Sequence, residues 1–193
     1  SNVYVTNFLE NSVSIIGFTN NTVWKNVGVG TEPMAIAISS TNAYVANYGS
    51  NSVSIIGLKN NTAWKTIGAG SGANAVAISS SNVYVTNYGS GTVSVIGLTN
   101  NTVWTTVSVG TKPEAIAISS SNVYVVNDGS NTVSVIGLTN NTVWATITVG
   151  KDPDAIALSS TNAYVANAVA DTVSVIGLTN NTVWKTISVG ATP

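Results

Sequence analysis

The residues able to do chemistry are few, and their types narrow the choice at once. The chain has 193 residues and contains neither histidine nor cysteine. Acid–base catalysis near neutral pH draws first on histidine, and thiolate chemistry and most transition-metal sites need histidine or cysteine. Composition excludes those classes, and it excludes disulfides. Carboxylates remain. Asp152 and Asp154, with Glu114 or Glu32, form the one oxygen-rich group that loop carbonyls would complete into a weak Ca²⁺ site. Lys112 and Lys151 lie among them, so solvated loop charges are the simpler reading. No glycine-rich phosphate loop is present; the 17 glycines fall at strand ends and in turns. No catalytic, cofactor or metal residue is assigned, and an enzyme is not expected.

Two further patterns carry surface chemistry. An N-x-Thr sequon recurs at Asn20, Asn60, Asn100, Asn140 and Asn180, each a glycan acceptor if the protein is secreted. The same Asn-Asn pair also suits the left-handed backbone of a tight two-residue turn. Tryptophan recurs at Trp24, Trp64, Trp104, Trp144 and Trp184. Five such residues can make a ring of aromatic sugar platforms, or each can bury its indole between sheets or against the outer strand. The cost of exposing so much apolar area makes packing the expectation.

The elements that position these residues repeat strictly. Asn-Asn-Thr, Trp and Tyr-Val (Tyr4, Tyr44, Tyr84, Tyr124, Tyr164) each return every 40 residues, five times, without insertion or deletion. Within residues 114–149, Ala115–Ile118, Val123–Val126, Thr132–Ile136 and Val143–Val149 read as four strands separated by short turns. A four-stranded meander of this length is the size of a propeller blade. Apolar residues point to both sides: Ile116 and Ile118 against Ala115 and Ala117, Val133 and Val135 against Ile136 and Leu138. A sheet greasy on both faces must be sandwiched between others. The expectation is all-β: a β-propeller of five 40-residue, four-stranded antiparallel blades, closed in preference to an open array, since solenoid coils are usually nearer 20–30 residues. It forms one domain over 1–193, in units of about 1–33, 34–73, 74–113, 114–153 and 154–193. One blade lacks its innermost strand. A continuing chain, a strand from a partner, or a three-stranded blade are the ways to meet that lack.

Alternate turns of a meander share a face of the ring. One face reads monotonously as Ser-Ser-(Ser/Thr)-Asn and (Thr/Lys)-Asn-Asn-Thr, while the other carries the variation between copies and most of the charge. Partner contact is expected on the variable face, at Phe8, Leu9, Ala168, Val169, Glu32, Glu114, Asp152 and Asp154. Phe8 and Leu9 would neighbour Ala168 and Val169 in a closed five-membered ring, making an apolar patch. Lys25, Lys65 and Lys185 on the outer strand guard against edge-to-edge pairing.

Only 7 % of residues are charged, with a net charge of −1, so nucleic acid is not an expected partner. No apolar run approaches the roughly 18 residues of a membrane span, so membrane insertion is not expected. Apolar residues make up 44 %, mostly branched, which fits strands rather than disorder.

Tyr4-Val5-Thr6-Asn7 and Tyr84-Val85-Thr86-Asn87, each followed by Val-Ser-(Ile/Val)-Ile, resemble the YVTN family of β-propeller repeats. Thr92–Ile96 and Thr186–Gly190 are similar to that family's third and fourth strands. The likeness runs along the whole chain, but Ala46, Val126 and Ala166 replace the threonine, and Gly97 stands where an aspartate is usual. The resemblance implies an extracellular or cell-surface protein, surface-layer components included, without implying one activity. The expected function is a non-catalytic structural or adhesive repeat protein of a surface layer, sheath or fibre, self-associating or bound to another surface protein. The alternative is a multivalent, lectin-like carbohydrate binder with a site per blade gap.

Overall fold

The computed structural model describes residues 2–193. β-Branched residues flanked by Asn, Ser, Thr and Gly fold as short strands and tight turns, and 19 strands among the described residues make five antiparallel sheets. Sheet I has three: β1 (Asn2–Asn7), β2 (Ser12–Gly17) and β3 (Val23–Gly28). Sheet II has β4 (Pro33–Ile38), β5 (Asn42–Asn47), β6 (Ser52–Gly57) and β7 (Thr62–Gly68). Sheet III has β8 (Ala73–Ile78), β9 (Asn82–Asn87), β10 (Thr92–Gly97) and β11 (Val103–Ser108). Sheet IV has β12 (Pro113–Ile118), β13 (Asn122–Asn127), β14 (Thr132–Gly137) and β15 (Val143–Thr148), with a 3-10 turn at Asp128–Ser130. Sheet V has β16 (Pro153–Leu158), β17 (Asn162–Asn167), β18 (Thr172–Gly177) and β19 (Thr182–Ser188). Each sheet is a meander whose strand order is its sequence order, the short first sheet included.

The core lies between sheets. Four buried clusters are present, joining I to II, II to III, III to IV and IV to V. At the III–IV joint, Tyr84, Val93, Val95 and Val107 meet Val123, Val125 and Ile136, with Ile116, Ile118 and Leu138 beside them. At the IV–V joint, the opposite side of sheet IV supplies Tyr124, Val126, Val133 and Val135, and small Ala115 lies near bulky Ile156 and Leu158. Both sides of one sheet are therefore core, as its alternating apolar residues require. The first strands are neighbours across the stack: β4 beside β8, β8 beside β12, β12 beside β16.

A polar bond completes each joint. The Tyr84 hydroxyl donates to Asn141 Oδ1 at 2.6 Å; Tyr4 to Asn61, Tyr44 to Asn101 and Tyr124 to Asn181 repeat it at 2.6, 2.6 and 2.8 Å. The acceptor is the second residue of each Asn-Asn pair, held at φ near +53° (Asn61, Asn101, Asn141, Asn181) and almost wholly buried. A buried phenol needs a partner, and asparagine supplies one while tolerating the left-handed backbone. The turn is longer than the two-residue hairpin expected: the Gly97 amide donates to the Thr102 carbonyl, and the Asn101 amide to the Gly97 carbonyl.

Tyr84→Phe removes the hydroxyl and leaves Asn141 Oδ1 buried without its donor. A loss of about 1–3 kcal/mol is expected, read as a lower midpoint in urea. Tyr164→Phe is the control, because the Tyr164 hydroxyl has no hydrogen-bond partner among the described residues and its loss should change little. Equal effects of the two substitutions would remove this bond from the account of the joint.

Candidate functional site

Every sheet breaks register at the same place. In sheet III, Val95 pairs with Thr105 and Ile96 with Val103, so Trp104 is the extra residue of a β-bulge. Trp24, Trp64, Trp144 and Trp184 occupy the same bulge in the other sheets. A bulge re-aims its side chain. The expectation that the indoles are packed away is corrected: all five are 51–60 % exposed. Each keeps one edge on the protein, with Cδ1 lying 3.5–3.8 Å from where a Cβ would sit on Gly17, Gly57, Gly97, Gly137 or Gly177. The indole N–H of Trp64, Trp144 and Trp184 donates to Asn42, Asn122 and Asn162 Oδ1 at 3.2, 3.2 and 3.1 Å. Trp104 makes no such bond among the described residues. It borders an open cleft of about 530 Å³ with Ser80, Ser81, Asn82, Thr99 and Asn100. That cleft lies within one sheet, between its two turns, and not in the gap between sheets expected for a binding site.

The sequon residues Asn20, Asn60, Asn100, Asn140 and Asn180 are exposed at the tip of the same turn. In four of them Oδ1 accepts the backbone N–H two residues on, at 3.2–3.4 Å. The side chain is thereby fixed at the mouth of the tryptophan cleft. Sequence reasoning found the first asparagine and missed the second. The signal was the constant step of 57 residues from each tyrosine to its partner, which pattern alone does not single out.

On the variable face, the second position of each first strand is also bulged or irregular. Pro113 pairs with Asn127 and Ala115 with Val126, so Glu114 is set outside the ladder; Met34 and Asp154 stand at the same point, as does Asn74 within a shifted register. Met34, Asn74 and Glu114, with Tyr48 and Tyr88, line a hollow of about 230 Å³. Burial is the main cause that raises the Glu114 carboxyl above its ordinary value; Asp128, Asp154 and Asp152 add to it and Lys112 opposes. Asp128 is raised by burial first and then by the neighbouring Asp152 carboxyl, while Lys112 Nζ lies 3.9 Å from Asp128. Among the described residues, no group of three or more acidic side chains is placed to hold a metal ion. Glu32 and Asp152 have a backbone duty besides: each sits at positive φ and donates its N–H to Asn11 or Asn131 Oδ1, at 2.8 and 2.9 Å.

Phe8, Leu9 and Val169 are exposed in the β1–β2 and β17–β18 loops, with Ala168 half-buried. Among the described residues, no buried cluster joins sheets I and V. Instead their outer faces are bare. Sheet V presents Tyr164, Ile187 and Val189 beside a groove lined by Ala155, Ala157, Ala166 and Val173. Sheet I presents Val3, Val5, Phe18 and Val23, with Asn21 exposed. Ring closure by these two sheets would set Tyr164 against Asn21. Tyr164 remains 38 % exposed and makes no such bond among the described residues.

No family model matches the chain, and no curated protein matches it. Solved structures do match in fold. Hydrazine synthase of Kuenenia stuttgartiensis superposes with a TM-score of 0.81 at 19 % identity over 92 % of this chain and 60 % of that one. A functionally unknown protein from Desulfotomaculum acetoxidans DSM 771 gives 0.85 at 15 % identity over 98 % and 67 %. The computationally designed Ika8 protein gives 0.76 at 14 % over 90 % and 54 %. The chain thus spans about 60 % of the length of the hydrazine synthase chain it matches. At such identities the likeness carries fold alone, and the fold is a β-propeller-like repeat of antiparallel sheets.

The acidic loops make a pH signature. A carboxyl held above its ordinary value takes a proton more readily folded than unfolded. Its contribution is therefore full at low pH and is lost as pH rises through the raised value. Glu114→Gln should raise the melting temperature slightly at pH 7 and leave it nearly unchanged at pH 4, the effect at pH 7 being kept small by solvent screening. A larger gain at pH 4 than at pH 7 would reverse the assignment.

Proposed function

We propose that the protein is a non-catalytic, extracellular structural or adhesive repeat protein, a component of a surface layer, sheath or fibre. The observation that supports it is the pair of bare outer faces. Tyr164, Ala166, Val173, Ile187 and Val189 are the repeat equivalents of Tyr124, Val126, Val133, Ile147 and Val149, which fill the IV–V joint. Val3, Val5, Phe18 and Val23 are the equivalents of Val83, Val85, Leu98 and Val103, which fill the II–III joint from the other side. The chain therefore offers one half of its own joint at each end of the stack. Unlike halves make a heterologous contact, which closes into a ring or propagates as a filament. Sheets of the same repeat in a second copy of this chain fit both faces. Apolar faces of this kind mark interaction surfaces, and the resemblance to surface-layer repeats points the same way.

Sedimentation velocity of the 193-residue chain between about 1 and 100 µM should show concentration-dependent association, the range in which contacts of moderate strength appear. Val5→Asp and Ala166→Asp should each abolish growth beyond a monomer. Mixing the two should restore a dimer, because each keeps the half the other lacks. A wild-type chain that stays monomeric throughout would end the proposal. Association lost only in Phe8→Ser with Leu9→Ser would move the contact to the loops.

A further inference from the structure

We infer that the bulged tryptophans of sheets II to V form equivalent saccharide sites, each stacking one neutral pyranose ring on the indole. The flanking serine, threonine and asparagine side chains take its hydroxyls. This goes beyond the assembly reading and does not depend on it.

The placement of the indole is the first argument. A residue that merely filled the outer strand would pair in the ladder and lie against it. Here an extra residue is inserted in each sheet, and that residue is tryptophan every time. The insertion turns a large apolar ring half out of the protein, at a cost in exposed area that packing does not recover.

The second argument is that the ring is held in place. One edge of each indole lies over the facing glycine, with Cδ1 3.5–3.8 Å from where a Cβ would sit. In three sheets the N–H is tied to an asparagine at 3.1–3.2 Å. In those three sheets the platform is already fixed and loses little freedom when a ligand stacks on it, whereas Trp104 rests on its glycine edge alone.

The third argument is the chemistry of the walls. Around Trp104 the polar groups they offer are all hydroxyls and amides, from Ser80, Ser81, Asn82, Thr99 and Asn100, with Gly97 and Leu98 completing the lining. Trp144 has the same set at Ser120, Ser121, Asn122, Thr139 and Asn140, and Trp184 has Thr161 in place of the second serine. Sheet II differs by Lys59 in the turn. In sheet I the described residues supply only the turn side, so Trp24 is an incomplete site. One apolar face beside neutral donors and acceptors matches a sugar ring, which has a C–H face and a rim of hydroxyls. The complete Trp104 cleft has no cation to hold a sulfate or carboxylate. The Trp104 cleft has a single aromatic, whereas grooves for proline-rich peptides are lined by several. The cleft volume of about 530 Å³ is ample for a mono- or disaccharide.

Asn100 and its equivalents border the same clefts, so attached glycans would compete with free sugar. The test therefore uses protein from a host that does not glycosylate. It is titrated with neutral hexose and N-acetylhexosamine oligosaccharides, followed by tryptophan fluorescence and calorimetry. Saturable binding with about four sites and about millimolar affinity is expected, as for small ligands on one aromatic platform. Trp104→Ala should remove one site, and Trp104→Phe should weaken that site about tenfold without unfolding. Alanine at Trp64, Trp104, Trp144 and Trp184 together should abolish binding. Should that variant fail to fold, the change in stoichiometry of the single variants decides. A polysaccharide of the same sugar should bind at least about a hundredfold more tightly than its monomer, through several clefts at once. No saturable response to any neutral saccharide at about 100 mM would overturn the inference. So would an unchanged response in the tryptophan variants, a preference for sulfated or sialylated glycans, or tighter binding of a proline-rich peptide.

Discussion

Each sheet is apolar on both faces, and no single sheet can satisfy that in water. Everything else in the molecule follows from how neighbours share the burden. A lone four-stranded meander would leave both the Val133–Val135 side and the Ile136–Leu138 side wet. Stacked at a fixed step, the large residues of one sheet meet the small ones of the next, and the two sides are buried by different neighbours. Stability is then a sum of joints rather than of sheets, as in other repeat proteins. The two end sheets each bury one side only, which is why they carry most of the exposed branched residues.

Direction comes from the polar part of the joint. Hydrophobic contact alone would let sheets slide or stack in reverse order. The tyrosine–asparagine bond runs one way, from the second strand of one sheet to the turn of the next, at nearly the same distance four times. A register slip would leave both groups buried and unpaired, a cost far larger than the bond's net gain. The repeat therefore specifies orientation as well as contact, and a protein built of nearly identical units avoids confusing them.

The fold was legible because the repeat multiplied weak signals. Any one Val-Ser-Val-Ile run is ambiguous between strand and buried helix; five at a spacing of 40 are not. The four-strand unit, the short first sheet and the two-sided core were all readable from residue types. The site was less legible, for identifiable reasons. Periodicity places Trp104 on the fourth strand but cannot show a bulge, since the extra residue leaves the 40-residue period intact. Hydrophobicity then argued for burial, and geometry won. Likewise the second asparagine looked like turn chemistry, while its side chain is a buried acceptor 57 residues away from its donor. Closure was not legible at all: a blade-sized repeat suits a ring or an open array, and repeat length does not encode how far each joint turns the stack.

The Asn-Asn-Thr turn ties packing to surface. Its first asparagine stands exposed at the mouth of the tryptophan cleft, with its carbonyl oxygen engaged by the backbone and its amide toward solvent. Its second, one residue on, is buried in the joint with the neighbouring sheet. The left-handed backbone of the second residue is what sends the two side chains to opposite environments. Any change that reshapes the cleft through this turn therefore strains a joint, and any loosening of a joint moves a wall of the cleft. Duplication under that coupling leaves the turns monotonous and confines variation to the other face, where loops such as Thr31–Pro33 and Lys151–Pro153 can change side chains so long as one backbone N–H still reaches its asparagine. The uniform face is uniform because it is structural and exposed at once.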